Sequence, residues 1–459
     1  MTASWLLQNV WLVPMDGPMD GPHDSPLGEV HRGSLRIVGD RIEALGALQP
    51  RPGERCEDGA GAYVLPGFVQ GHVHATQTLF RGLADDLPLL PWLQQRIWPL
   101  EHAHDEASTR ASARLTFAEL LLGGTTTVQT MESVRHAEIT CEVALAAGMR
   151  AIVGNCLMDL ADGGVPAGMP TSRHEAIRRT EELWRAFHGR EGRLSIAVSP
   201  RFVLSCSDEL ARDAAALANA TGMRIHTHAA EHPDEVTAVR ARFGRDYLEV
   251  LHEQGMLGTN TSLAHCVHTS PRERDLLVAT GTAVLHCPST NLKLGSGIAP
   301  IHHYRSRGVR VALGADGAPC NNRLSMLTEL RQAALLQNLA AGPGAWPAAQ
   351  ALWTATRGGA QALGLDHELG SLRPGLRADF VLFSLDDARL GNETGHAANV
   401  ANRLVYAASE RHVRSVYCGG QRVVHAGELQ EAPLGTLAEI GLAAAAALPA
   451  VLQRAGLAR

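Results

Sequence analysis

Five stretches in the middle of the chain repeat one pattern: a helical segment, a glycine, then a short apolar run. They are "ASARLTFAELLLGGTTTVQT", "CEVALAAGMRAIVGN", "DELARDAAALANATGMRIHTHAAE", "RERDLLVATGTAVLHCP" and "IHHYRSRGVRVALGADG". Glycine after a helix supplies the left-handed residue that ends it, and a β-branched run beyond reads as a strand. Helix and strand in strict alternation imply parallel strands, because each crossover helix carries the chain back to the same edge. Six to eight such units between residues 67 and 367 fit a closed α/β (β/α)8 TIM barrel better than an open sheet. No strand is followed by G-x-G-x-x-G, and no G-x-x-x-x-G-K-[ST] occurs, so a dinucleotide or ATP fold lacks its motif.

The two ends have another character. Residues 1–66 contain "WLLQNVWLVP", "GSLRIVGDRIEALG" and "YVLPGF", and residues 368–430 contain "ADFVLFSL" and "VRSVYCGGQRVVHAGE". Both read as short strands with turn signals. The ends are therefore expected to pair into one small β-sandwich. The duplication "MDGPMDGP" suits a hairpin loop. Residues 431–459 read as a helical tail. Its apolar run "GLAAAAALPAVL" is twelve residues with a proline, too short to span a bilayer, and suits a packing helix. The first residues lack a basic n-region and read as a strand rather than a signal peptide. A net charge of −6 without a basic block argues against nucleic-acid or membrane-surface partners, so a cytoplasmic protein is expected. Eight cysteines, the nearest pair fifteen residues apart, read as small buried apolar groups and not as a disulfide framework or thiolate cage.

Barrels of this kind draw reactive groups from the C-terminal ends of their strands. Here those ends carry His72 and His74, then His226, His228 and Glu231, then His265, Cys266 and His268, then His286, and finally Asp316. One histidine at a strand end is usually structural, and an aspartate before glycine is often a turn residue. Five such ends on one rim point to a metal site. His72 and His74 are two apart, so their rings face the same side. One more imidazole and one carboxylate would complete an N3O shell, which suits zinc and can suit iron.

The pieces "PGFVQGHVHATQTLFRG", "IHTHAAE", "LAHCVH", "HCPSTNLKLGSGIAP" and "ALGADGAPCNN" together resemble the amidohydrolase superfamily, in its branch of mononuclear-metal aminoheterocycle deaminases. The resemblance spans most of the barrel, in order, and includes the β-rich ends. It implies that one divalent ion, zinc or alternatively iron, is held by His72, His74, His228 and Asp316. Spacing alone leaves His226 and His228 open; the resemblance selects His228. It further implies Glu231 as proton shuttle, His265 as a contact to water or substrate, and Asp316 as acceptor of the water proton. Binuclear relatives use a bridging lysine between the first histidine pair and the next ligand. The chain's one lysine, Lys293, comes after both, which argues against that class.

The implied reaction is hydrolytic loss of ammonia from a small-molecule aminopurine. "RGLADDLPLLPWLQQRIWPLE" resembles 5'-methylthioadenosine/S-adenosylhomocysteine deaminases and places Trp92 and Glu101 at substrate positions, the carboxylate suited to ribose hydroxyls. "SPRFVLSCSDE" and Gln77 instead resemble guanine deaminase. Arg201 and Gln77 offer donors for an oxo or amino group on a base, or support from behind. An adenine nucleoside is the leading expectation. Guanine or 8-oxoguanine, and pterins or s-triazines, are the alternatives, and a non-catalytic scaffold on the same fold would require a broken ligand set. Relatives of this kind commonly self-associate, so a homo-oligomer is compatible with the resemblance.

Overall fold

The computed structural model describes residues 4–19, 25–391, 397–430 and 434–458. Eight parallel strands close into a barrel: β1 Phe68–Val73, β2 Thr125–Met131, β3 Arg150–Gly154, β4 Leu194–Pro200, β5 Arg224–Ala229, β6 Thr261–His265, β7 Ala283–His286 and β8 Val311–Leu313. Each pairs with the next, and Leu313 of β8 pairs with Gln70 of β1 to close the ring. The expected Gly stops are real. Gly222 and Gly281 cap their helices at φ 75° and 66°, a region where a side chain would be strained.

The lower lumen is filled by Val69, Ile152, Ala197, Ala264, Ala283, Leu285 and Ala312. Val128, Val153, Ile196, Ile225, Leu263, Val284 and Val311 belong to the larger core outside the strands. The barrel is thus packed on both faces, which explains strands with almost no polar alternation. Buried polar residues such as Thr125, Thr127, Gln129 and Ser262 also lie along the strands, while His72, His74, His228 and Asp316 stand toward the C-terminal mouth.

Strands from both chain ends form one continuous mixed sheet. Ser4–Leu12 pairs with His31–Val38 and, in parallel, with Tyr63–Pro66; the latter pairs antiparallel with Phe380–Phe383, which continues into Val413–Cys418 and Gln421–His425. Trp5, Leu35, Ile42, Phe380 and Tyr417, drawn from five of its strands, share one core, so the sheet curls on itself to make both faces of the expected sandwich. A short helical insertion, Ala397–Asn402 with Arg403–Ala407, interrupts the C-terminal strands. The duplicated loop is closed by Met15 N–H donating to Leu27 O at 2.8 Å; its residues 20–22 lie outside the described residues.

Two contacts tie the sheet and tail to the barrel. Arg150, first residue of β3, donates to Asp379 at 3.2 Å, and both are buried. The tail helix runs from Leu437 to Arg454, longer than its apolar run. By length and composition it could cross a membrane, yet Ile440, Ala444 and Val451 are buried, and the helix packs on the helix Glu106–Leu122.

Candidate metal and substrate site

A bulge in β1 between Gln70 and Val73 shifts its register against β2. Val69 below it faces the lumen and Val73 above it faces the outer core, so the bulge swaps the inward parity. His72 is turned inward in consequence. His74 lies just beyond the strand, at the start of the turn Ala75–Phe80. His72, His74, His228 and Asp316 bring one ligand atom each to within 4.8 Å of one another. Asp316 Oδ1 lies 3.3 Å from His72 Nε2 and 3.2 Å from His74 Nε2.

Hydrogen bonds behind these rings fix where their protons sit. His74 Nδ1 is 2.7 Å from Met131 O, and His228 Nδ1 is 2.7 Å from Arg201 O. A carbonyl can only accept, so both Nδ1 atoms carry hydrogen and both Nε2 atoms present lone pairs in the neutral rings. Those two Nε2 atoms are 3.2 Å apart. His72 Nδ1 is 2.8 Å from His226 Nε2, while His72 Nε2 is buried without a partner. Lone pairs converging on a carboxylate are unfavourable alone and fit a cation. A divalent ion therefore fits this donor set.

The electrostatics agree for His72 and His228, whereas at His74 burial is outweighed by the hydrogen bond and charge of Asp316, which raise its pKa. Burial drives the His228 pKa well below its ordinary range and that of His72 down to about 4, so both rings are neutral. Burial would raise Asp316, but the His72 and His74 rings outweigh it and hold this carboxyl well below its usual value. Glu231 shows the reverse: burial, then the nearby Asp316 and Glu235 carboxylates, push it well above 4.5. One acid is kept ionised and its neighbour kept neutral, a separation that suits base and acid roles.

Glu231 Oε2 lies 3.4 Å from His265 Nε2, which lies 3.8 Å from Asp316 Oδ2. His265 Nδ1 rests on Asn291 Oδ1 at 2.9 Å. A partly open cavity lies over these groups, lined by His74, His228, Glu231, His265 and Asp316, with Trp92 and Arg201 on its walls. Gln77 and Glu101 do not line it. Both are buried behind Arg201: Glu101 Oε2 accepts from Arg201 Nη1 at 2.6 Å, and Oε1 from Gln77 Nε2 at 2.7 Å. Trp92 is also part of an apolar cluster with Leu93, Trp98 and Phe202.

Three histidines named at strand ends fall outside. His226 stands behind His72. His268 Nε2 bonds Ser296 O at 2.6 Å. His286 points away from the lumen and stacks on Trp346, because Leu285 takes the inward position. Lys293 sits at the rim, bound to Asp85, to Pro319 O at 3.0 Å and to Asn322 Oδ1 at 2.5 Å. Sequence reading passed over Glu235, whose carboxylate accepts the Glu231 N–H at 2.8 Å. Its place four residues past Glu231, in the first turn of the helix Pro233–Phe243, is a visible signal. Asn291 was inside a quoted motif but without a role.

Residues 63–423 match the model of the amidohydrolase family. The chain is 36% identical to a 5'-deoxyadenosine deaminase of Methanothermobacter thermautotrophicus, over 92% of this chain and 96% of that protein. It is 33% identical to a 5-methylthioadenosine/S-adenosylhomocysteine deaminase of Desulfitobacterium hafniense, over 91% and 93%. Its fold superposes on a zinc-bound adenosine deaminase from Xanthomonas campestris with a TM-score of 0.88 at 30% identity, covering 98% of this chain and 99% of that one. Family model, relatives and barrel architecture agree: the chain belongs to the amidohydrolase family.

Proposed function

We propose that this protein is a metal-dependent hydrolytic deaminase that releases ammonia from an adenine nucleoside such as 5'-deoxyadenosine, 5'-methylthioadenosine or S-adenosylhomocysteine. The observation that carries it is the convergence of three imidazoles, two of them with Nε2 freed by a carbonyl at Nδ1, on Asp316, beside a neutral glutamic acid, under one cavity. His72, His74, His228 and Asp316 would hold the ion, zinc being the best match to three nitrogens and one oxygen. When bound, the ion supplies Lewis acidity that makes water acidic near neutral pH. Asp316 Oδ2, turned toward His265, takes the proton of the attacking water, and His265 Nε2 orients that water. Glu231 gives its proton to a ring nitrogen, which makes the adjacent amino-bearing carbon electrophilic. The proton held by Asp316 then goes to the amino group, which leaves as ammonia, while the hydroxyl proton on the same carbon returns to Glu231 as the product carbonyl forms.

The test is ammonia release by zinc-loaded protein from these nucleosides, adenosine, guanine, 8-oxoguanine and a hydroxytriazine. Turnover is expected with the nucleosides, and its absence with every aminopurine would sink the proposal. Glu231→Gln should keep the wild-type zinc content and lose about 100-fold or more in turnover. Near-normal turnover would remove Glu231 from the proton path.

A guanine-type base is the second reading, and one observation favours it. Glu101 does not line the cavity and both its oxygens are engaged, whereas the Arg201 guanidinium, which shares Nη1 and Nη2 with Glu101, stands on the cavity wall. Its donors suit an oxo group on a bare base. Turnover confined to free bases would select this reading.

A further inference from the structure

The two oxygens of Asp316 serve different sides. Oδ1 faces His72 and His74, and Oδ2 faces His265. A thiol takes part in another convergence with Asp316: His265, Cys287 and Asp316 bring one ligand atom each to within 4.8 Å of one another, all three residues buried. We propose that His265, Cys287 and Asp316 form a second cation site for a borderline-soft divalent ion such as zinc or cadmium, and that filling it arrests turnover.

Three observations support this. His265 Nε2 is buried and has no hydrogen-bond partner, while its Nδ1 faces the Asn291 oxygen at 2.9 Å. That oxygen only accepts, so Nδ1 holds the hydrogen and the Nε2 lone pair points at Asp316 and Glu231. Cys287 is the last residue before the helix Pro288–Lys293, and its sulfur has only a distant 3.8 Å approach to Leu285 O. It is available to bind. The donors are imidazole nitrogen, sulfur and carboxylate oxygen, a set that selects zinc or cadmium over magnesium or calcium. In a tetrahedral shell with bonds of about 2.0 to 2.3 Å, neighbouring donors lie roughly 3.3 to 3.8 Å apart; His265 Nε2 and Asp316 Oδ2 already stand at 3.8 Å, and all three donors lie within 4.8 Å. The thiol proton leaves to solvent as the sulfur–metal bond forms, so charge and atoms balance.

The site would bind more weakly than its neighbour, with one oxygen of a shared carboxylate and three protein ligands. Its effect on turnover rests on the roles proposed above, since Asp316 Oδ2 and His265 Nε2 are the groups that receive and orient the water. The binding itself does not rest on them.

The test starts from protein holding one equivalent of zinc. Added zinc should bind as a second equivalent, measured by equilibrium dialysis with metal analysis, and ammonia release should fall in step. Cobalt as the second ion should give sulfur-to-metal charge-transfer absorption in the near ultraviolet. Cys287→Ser should keep the first ion and the starting activity, lose that absorption, and need about tenfold or more zinc for inhibition, a loss typical of damage around a metal site. Should the serine variant fail to fold, Cys287→Ala and the wild-type cobalt spectrum carry the test. A wild type that never binds beyond one equivalent, or a folded Cys287 variant with unchanged second binding and absorption, overturns the proposal. Second binding through Cys287 without arrest overturns the inhibitory claim. Protein inactive on every substrate defeats the function proposed above, while stoichiometry and spectrum still decide this site.

Discussion

At Gly314 the chain passes so close to β1 that a single methyl has nowhere to go. A Cβ there would sit 2.7 Å from His72 O, 2.8 Å from its N and 2.9 Å from its Cβ. Two residues later Asp316 N–H donates to His72 O at 3.0 Å. Gly314→Ala should therefore push the His72 and Asp316 backbones apart and drop zinc content well below one per chain, in protein that still folds. Metal analysis after gel filtration checks this, and full zinc content would show that β1 can yield. The sequence carried half of this story. His72 and His74 were legible from their spacing, and Asp316 from its place after an apolar strand. The choice of His228 over His226 was not, because both face the lumen and only the contact of His226 with His72 sets them apart. That Cys287 borders the site was legible from its place after His286, but its convergence with His265 and Asp316 was not, since it joins side chains from separate strands.

Helix Met326–Ala341 shows how an element outside the barrel reaches the site. Its Glu329, fully buried, accepts from Ser289 Oγ at 2.7 Å and Asn321 Nδ2 at 2.9 Å, and Asn321 in turn donates to Ala315 O at 2.7 Å. Burial pushes the Glu329 carboxyl from 4.5 up to about 7, against those hydrogen bonds. The native state thus keeps a proton that the unfolded chain releases near pH 4.5. Between those values the folded form binds more protons, so the contribution is whole below pH 4.5 and is lost as pH rises through 7. That interval corresponds to about 3 kcal/mol. Relative to Glu329→Gln, which cannot ionise, the wild type should lose about that much stability between pH 4.5 and 8 in urea unfolding. Parallel pH profiles would contradict it. At this scale the helix–Gly–strand units were legible because capping is local chemistry. The inward or outward face of β7 was not: "TAVLH" is apolar on both faces, so nothing marked His286 as outward. The bulge in β1 left no mark either, and several strand ends leave regular geometry altogether. Ala230, His265, Cys266 and Asp316 have φ of 49°, 74°, 47° and 62°, conformations that local propensity disfavours and the assembled mouth imposes.

For the molecule as a whole, the buried pair Arg150–Asp379 joins the base of the barrel to the terminal sheet. Asp379 also accepts from Gly419 N–H at 2.6 Å, and Arg150 donates to Gly192 O at 2.6 Å. Asp379→Ala leaves a buried guanidinium without its counter-charge and should cost about 3–5 kcal/mol in denaturant unfolding. Zinc content of the folded fraction should not change, because the pair sits at the end of the barrel opposite the site. A loss below 1 kcal/mol would mean that water reaches Arg150. That both ends of the chain share one sheet was legible from their common strand-and-turn style. That the sheet is single and curled was not, since curvature is set by which side chains meet across it.

The joining of the two ends also fixes an order of events in synthesis. Tyr63–Pro66 leads, after one residue, directly into β1, yet its antiparallel partner is Phe380–Phe383, more than 300 residues downstream. A chain emerging from the ribosome must hold its N-terminal strands unpaired on that edge until nearly all of the protein has been made. Contacts of such long sequence separation form slowly and leave strand edges open to other chains. The half-made protein, rather than the finished barrel, is therefore the species most in need of a chaperone.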